Sequence, residues 1–127
     1  MSKNETPLVR KYWHKVGGTL IEEFPVVTRT KHNGPRYIDA IIIPGEETKI
    51  ASAGEISLEG KDIICIQAKL GTLGMYLMGQ TVFSKQLLQR LKPSNVLSIA
   101  LCTKDDSVLR PLLEKYRNIK VVIISPD

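Results

Sequence analysis

Two rhythms of apolar and polar positions run along the chain. Leu8, Tyr12 and Val16 recur at i, i+4 and i+8 with Trp13 beside them, while Arg10, Lys11 and Lys15 fall outside that stripe. This period predicts an amphipathic helix over Thr6–Val16, ended by Gly17-Gly18. Thr19–Val27 is β-rich, with Leu20, Phe24 and Val26 on one parity, and Pro25 marks an edge position or a strand end. Residues 28–35 form a polar turn signalled by Asn33-Gly34. Arg36–Ile43 then reads as a strand with Asp39 as its only acid, closed by Pro44-Gly45.

Residues 46–62 are a polar connection with short strands around Ile50 and Ile56. Residues 63–69 are a strand that ends at Gly71. A helix follows over residues 73–91, closed by Lys92-Pro93. Its sheet-facing stripe reads as Tyr76, Gln80, Phe83, Leu87 and Leu91, spaced 4, 3, 4, 4. Residues 96–102 are a strand. Asp106 or Ser107 caps a helix carrying Leu109, Leu112, Leu113 and Tyr116, with Pro111 in its first turn, where a missing N–H costs little. Residues 119–125 are the last strand. The order α-β-β-β-α-β-α-β implies an antiparallel meander followed by crossovers, that is, a mixed α/β sheet flanked by helices.

Composition narrows the classes. The chain has 127 residues, 18 Lys+Arg against 13 Asp+Glu, a formal charge of +5 and a pI near 9.3. That length fits one domain, residues 1–127, with a real core. At 43% apolar and 24% charged residues it is too apolar for disorder. The mild basic excess permits a nucleic-acid partner without establishing one. Residues 1–7 hold no apolar segment of the kind that opens a signal peptide, and no apolar run approaches membrane-spanning length. Cys65 and Cys102 lie inside apolar strands and read as buried free thiols in a reducing cytoplasm. His14 and His32 are isolated, and no zinc pattern is present.

The anomaly lies in the polar residues that interrupt apolar strands. In Ile63-Ile64-Cys65-Ile66-Gln67-Ala68-Lys69, alternation puts Gln67 and Lys69 on one face. A strand emerging into solvent would look the same. Asp39, within Tyr37-Ile38-Asp39-Ala40-Ile41-Ile42-Ile43, needs a partner or a cation if buried. Lys69 can serve as its counter-ion. Alternatively, the carboxylate, the Gln67 amide oxygen and the Ala68 carbonyl can form a sparse oxygen site for Mg²⁺ or Mn²⁺, which keep several waters.

Asp39 followed by Gln67-Ala68-Lys69 resembles the Asp…(Glu/Gln)-x-Lys signature of the PD-(D/E)xK nuclease superfamily, in particular its Mrr-like branch. Ile38-Asp39-Ala40 and Ile66-Gln67-Ala68-Lys69 carry the likeness, which covers roughly residues 6–102. The resemblance implies a restriction endonuclease-like core (α-β-β-β-α-β) with an extra C-terminal helix and strand. It further implies metal-dependent endonucleolytic hydrolysis of DNA, with Asp39, Gln67 and Lys69 catalytic and with Asp39, Gln67 and Ala68 on Mg²⁺ or Mn²⁺. Gln67 stands where Glu is commoner, which removes one negative charge. Many relatives carry a glutamate on the first helix; here Thr6–Val16 has no acid, and Glu5, Glu22 and Glu23 are the nearby carboxylates.

Arg29, Lys31, His32 and Arg36 on the turn before the Asp39 strand are candidate phosphate contacts. Gln80 is a candidate neighbour of the scissile phosphate. Cutting both strands often uses two active sites, which leaves a homodimer as an option, though no residue of the sequence predicts its interface. The competing reading is a catalytically silent nuclease-like domain that binds nucleic acid or a protein partner. A Rossmann-like reading, prompted by residues 96–125, lacks the glycine-rich phosphate loop.

Overall fold

The computed structural model describes residues 1–126. Its elements are α1 (Thr6–Val16), β1 (Thr19–Val27), β2 (Arg36–Ile43), β3 (Lys49–Ala51), β4 (Asp62–Thr72), α2 (Met75–Gln89), β5 (Asn95–Lys104), α3 (Leu109–Glu114) and β6 (Ile119–Ile123). One six-stranded mixed sheet has the order β3-β1-β2-β4-β5-β6. β1, β2 and β4 form the antiparallel meander, while β4, β5 and β6 run parallel through crossovers α2 and α3. The expected α/β class with a helix-flanked mixed sheet holds. Among the described residues no helix is long and apolar enough to cross a membrane.

Each sheet face has its own apolar layer. Leu8 and Val9 of α1 pack with Leu20, Ala40, Ile42, Ile64, Ile66, Ile99 and Leu101. On the other face, Leu88 of α2 meets Ile21, Ile41, Ile43, Ile63, Cys65 and Val96. Leu77 and Leu113 cover Ala100, Cys102, Ile119 and Val121. Both cysteines are buried and free, and burial pushes the Cys65 thiol up to about 12.

Four details correct the sequence expectations. The short strand around Ile50 exists as β3, but Ile56 follows a 3₁₀ turn over Ala53–Glu55 instead of lying in a strand. Leu20 and the pair Phe24 and Val26 lie on opposite faces, not one. In α3 only Leu113 is buried and Leu112 faces solvent, and Tyr116 lies exposed beyond the helix end; Asp106 does act as the cap, accepting the N–H groups of Val108 and Leu109. In α2 the sheet-facing stripe is Leu77, Thr81, Ser84 and Leu88, one residue round from the expected one. Tyr76 and Phe83 are exposed. The shift is possible because both polar residues are satisfied: Thr81 Oγ1 donates back to the Leu77 carbonyl one turn earlier in α2 and Ser84 Oγ accepts from Gln67.

Candidate active site

Strand alternation breaks at two positions that face each other. Ile21 and Phe24 both lie on the α2 face of β1, and Ile38 and Ile41 both lie on the α2 face of β2. Strict alternation would put each pair on opposite faces. The resets fall at Glu23, whose φ is +52°, and at Asp39. These positions oppose each other, between the pairs Glu22–Ala40 and Phe24–Ile38. A break in alternation on both strands at once keeps the register and re-aims the side chains there; the register shift itself lies further along, between Pro25 and Val27.

Asp39 is aimed at β4. The β2–β4 ladder ends at Ala40–Ile66. Beyond it, the Ala68 N–H donates to Asp39 Oδ2 at 2.8 Å instead of to a β2 carbonyl. The carboxylate is thereby fixed to the residue between Gln67 and Lys69, at the mouth where the two strands part. Its side chain is 15% exposed.

Gln67 is buried, and its Nε2 donates to Ser84 Oγ at 2.7 Å. Lys69 is exposed and forms no ion pair with Asp39, so the counter-ion expectation is corrected. The cation on Asp39 is the Met1 amino group, 3.3 Å from Oδ1 and 3.0 Å from Glu23 Oε1. Burial works against that ammonium's charge, yet hydrogen bonds and attraction from Glu23 and Asp39 outweigh it and raise its pKa.

The three neighbouring acids separate clearly. Glu22 points away, held by Arg10 through two hydrogen bonds of 3.1 and 2.8 Å. Glu23 shares its cation with Asp39. Glu5, just before α1, is buried, and accepts from the Ser2 N–H and hydroxyl. Burial pushes its carboxyl up, but the Ser2 bonds, the Leu70 N–H and the charge of Lys69 outweigh this and hold it below its ordinary range. Glu5 thus sits against the end of β4 from the α1 side, although it lies outside the helix.

The hard oxygen donors here, Asp39, the Gln67 amide and the Ala68 carbonyl, suit a Mg²⁺ or Mn²⁺ ion that retains waters. Among the described residues no three His, Cys, Asp or Glu side chains gather into a metal-holding group, so any such site is sparse.

Below Ala40, β2 pairs with β1 alone, making a two-stranded ribbon past the mouth. Arg36 and Tyr37 are exposed on it, and Arg29, Lys31 and His32 are exposed on the loop at its tip. Arg36 donates to the Pro35 carbonyl at 3.3 Å and is not an Asp39 partner. Gln80 is half-buried beside the α2 stripe, not on it; Ser84 is the α2 residue that hydrogen-bonds to Gln67, and sequence reasoning missed it. The 4, 3, 4 spacing of Leu77, Thr81, Ser84 and Leu88 was the available signal. A surface groove of about 810 Å³ lies at the opposite end of β4 and β5, among Ile64, Leu97, Tyr116 and Lys120, and holds none of these residues. Comparison with protein-family models, with curated proteins and with solved structures finds no match to this chain.

Proposed function

We propose that this chain is a metal-dependent deoxyribonuclease of the PD-(D/E)xK type with a Gln-x-Lys motif. The observation that carries the reading is the Asp39–Ala68 bond, which holds a carboxylate beside Gln67 and Lys69 at a strand fork. The element order and the β1-β2-β4-β5 arrangement, two antiparallel pairings followed by a parallel one, support a restriction endonuclease-like core with α3 and β6 added.

In this reading Asp39, the Gln67 oxygen and the Ala68 carbonyl hold the ion. A bound divalent ion supplies a water of lowered pKa and polarises the phosphate. Asp39 carries the negative charge that draws the cation, with Glu23 adding to it. Lys69 orients the attacking water and stabilises charge developing on the phosphate oxygens. Glu5, against the end of β4 on the α1 side, lies near enough to feel the charge of Lys69. Arg29, Lys31 and Arg36 neutralise phosphates along the ribbon, a contact that needs no base sequence.

The test is incubation with supercoiled, linear and branched DNA in Mg²⁺ or Mn²⁺, alongside Asp39→Ala and Lys69→Ala. Cleavage by wild type alone supports the reading. Intact DNA throughout, with salt-sensitive binding retained, replaces it with the silent DNA-binding domain. Equal cutting by wild type and variants marks a contaminant.

A further inference from the structure

We infer that Ser84 on α2 is a positioning residue that holds the Gln67 amide with its oxygen towards the Asp39 mouth. The inference rests on the nuclease reading and deepens it. Gln67 is 4% exposed, and its Nε2 donates to Ser84 Oγ at 2.7 Å. An amide has two chemically different ends, so pinning the nitrogen decides where the oxygen goes. Among the described residues every buried side-chain nitrogen or oxygen has a hydrogen-bond partner, and Ser84 is the protein partner of this amide. The Gln67 oxygen, which has no hydrogen-bond partner among the described residues, is by elimination not fully buried.

Ser84 is itself held. It is 4% exposed on the buried stripe of α2 and lies within hydrogen-bonding reach of the Cys65 thiol. Ser98 extends this polar seam, donating to the Thr81 carbonyl at 2.7 Å. A serine in mid-helix facing an isoleucine-rich sheet gains nothing from burial alone. Its value lies in accepting from Gln67. A glutamate at position 67 would present an oxygen at either end and need no such selection; a glutamine does. Ser84 thus supplies the orientation that the missing charge makes necessary. Supporting groups of this kind change metal affinity or activity by about 10–100-fold.

The experiment uses the full chain and two readouts besides cleavage. Side-chain amide NMR of the metal-free protein reports the Gln67 NH₂ group, and Mn²⁺ titration followed by electron paramagnetic resonance reports affinity. In Ser84→Ala the protected Gln67 NH₂ signals should shift and exchange faster, and Mn²⁺ affinity should fall about tenfold. Ser84→Thr, which keeps the hydroxyl, should restore both. Gln67→Glu should make Mn²⁺ affinity insensitive to Ser84→Ala. If Ser84→Ala does not fold, Ser84→Cys keeps the volume while weakening the acceptor, and carries the same expectations. Unchanged NH₂ signals and affinity in a folded variant overturn the inference while leaving the nuclease reading intact. Absence of Mn²⁺ binding by wild type overturns the metal reading and this inference with it.

Discussion

Asp39 accepts the backbone N–H of Ala68 at 2.8 Å, just beyond the last β2–β4 pair, Ala40–Ile66. One bond therefore both ends the ladder and fixes a carboxylate to the backbone of the residue between Gln67 and Lys69. Asp39→Asn keeps an oxygen for Ala68 while removing the charge. It should fold normally by circular dichroism and lose at least about 100-fold in cleavage rate and in Mn²⁺ affinity. Lys69→Ala removes an exposed side chain, so melting should move little, while the cleavage rate falls about 10²–10³-fold with Mn²⁺ binding retained.

The ribbon should contribute affinity without sequence preference. Replacing Arg29, Lys31 and Arg36 together by Ala should flatten the plot of log binding constant against log salt by about 2.7, if each neutralises one phosphate. Fluorescence anisotropy over a salt series, with two unrelated duplexes, reads the slope. An unchanged slope removes the ribbon from the interface.

Glu5 gives a pH-dependent contribution of known sign. Its folded pKa lies below the ordinary value of 4.5, so the unfolded chain takes up the proton more readily. Its stabilisation is complete above the unfolded value and disappears as pH falls through the depressed folded value. Glu5→Gln should cost about 1 kcal/mol at neutral pH. Thermal melts of the two proteins should converge as the pH drops below 4.5.

Gly18 tests the joint between α1 and β1. Its φ is +85°, and a Cβ there would meet the Ile43 carbonyl, which belongs to backbone and cannot swing aside. Gly18→Ala should destabilise by about 2 kcal/mol or more, read by urea unfolding. Gly79, with open space around it, should accept Ala and gain stability from helix propensity.

Most of the architecture was legible because local chemistry and tertiary structure agree. Thr6–Val16, Thr19–Val27 and Arg36–Ile43 follow from period, glycine stops and the flanking turn. The α2 stripe was misread because its buried face carries Thr81 and Ser84 while Tyr76 and Phe83 face out, so hydrophobicity pointed to the wrong side. The face change in β1 was invisible because Glu23 carries no signature of a positive φ. Asp39 was found as a polar residue in an apolar strand. Its actual partners, Ala68 N–H and the Met1 amino group, are main-chain groups that a side-chain pattern cannot name. Glu5 sits just before α1 in the sequence; only the tertiary fold brings it to the end of β4.

The most direct measurement is nicking of supercoiled plasmid by purified wild type, Asp39→Asn and Lys69→Ala at equal concentration, with Mg²⁺ or Mn²⁺ present and then chelated. Metal-dependent nicking by wild type, stopped by chelator and absent from both variants, is the predicted result. Plasmid that stays supercoiled with wild type in either metal, while the protein still binds it in a salt-sensitive manner, would contradict the account.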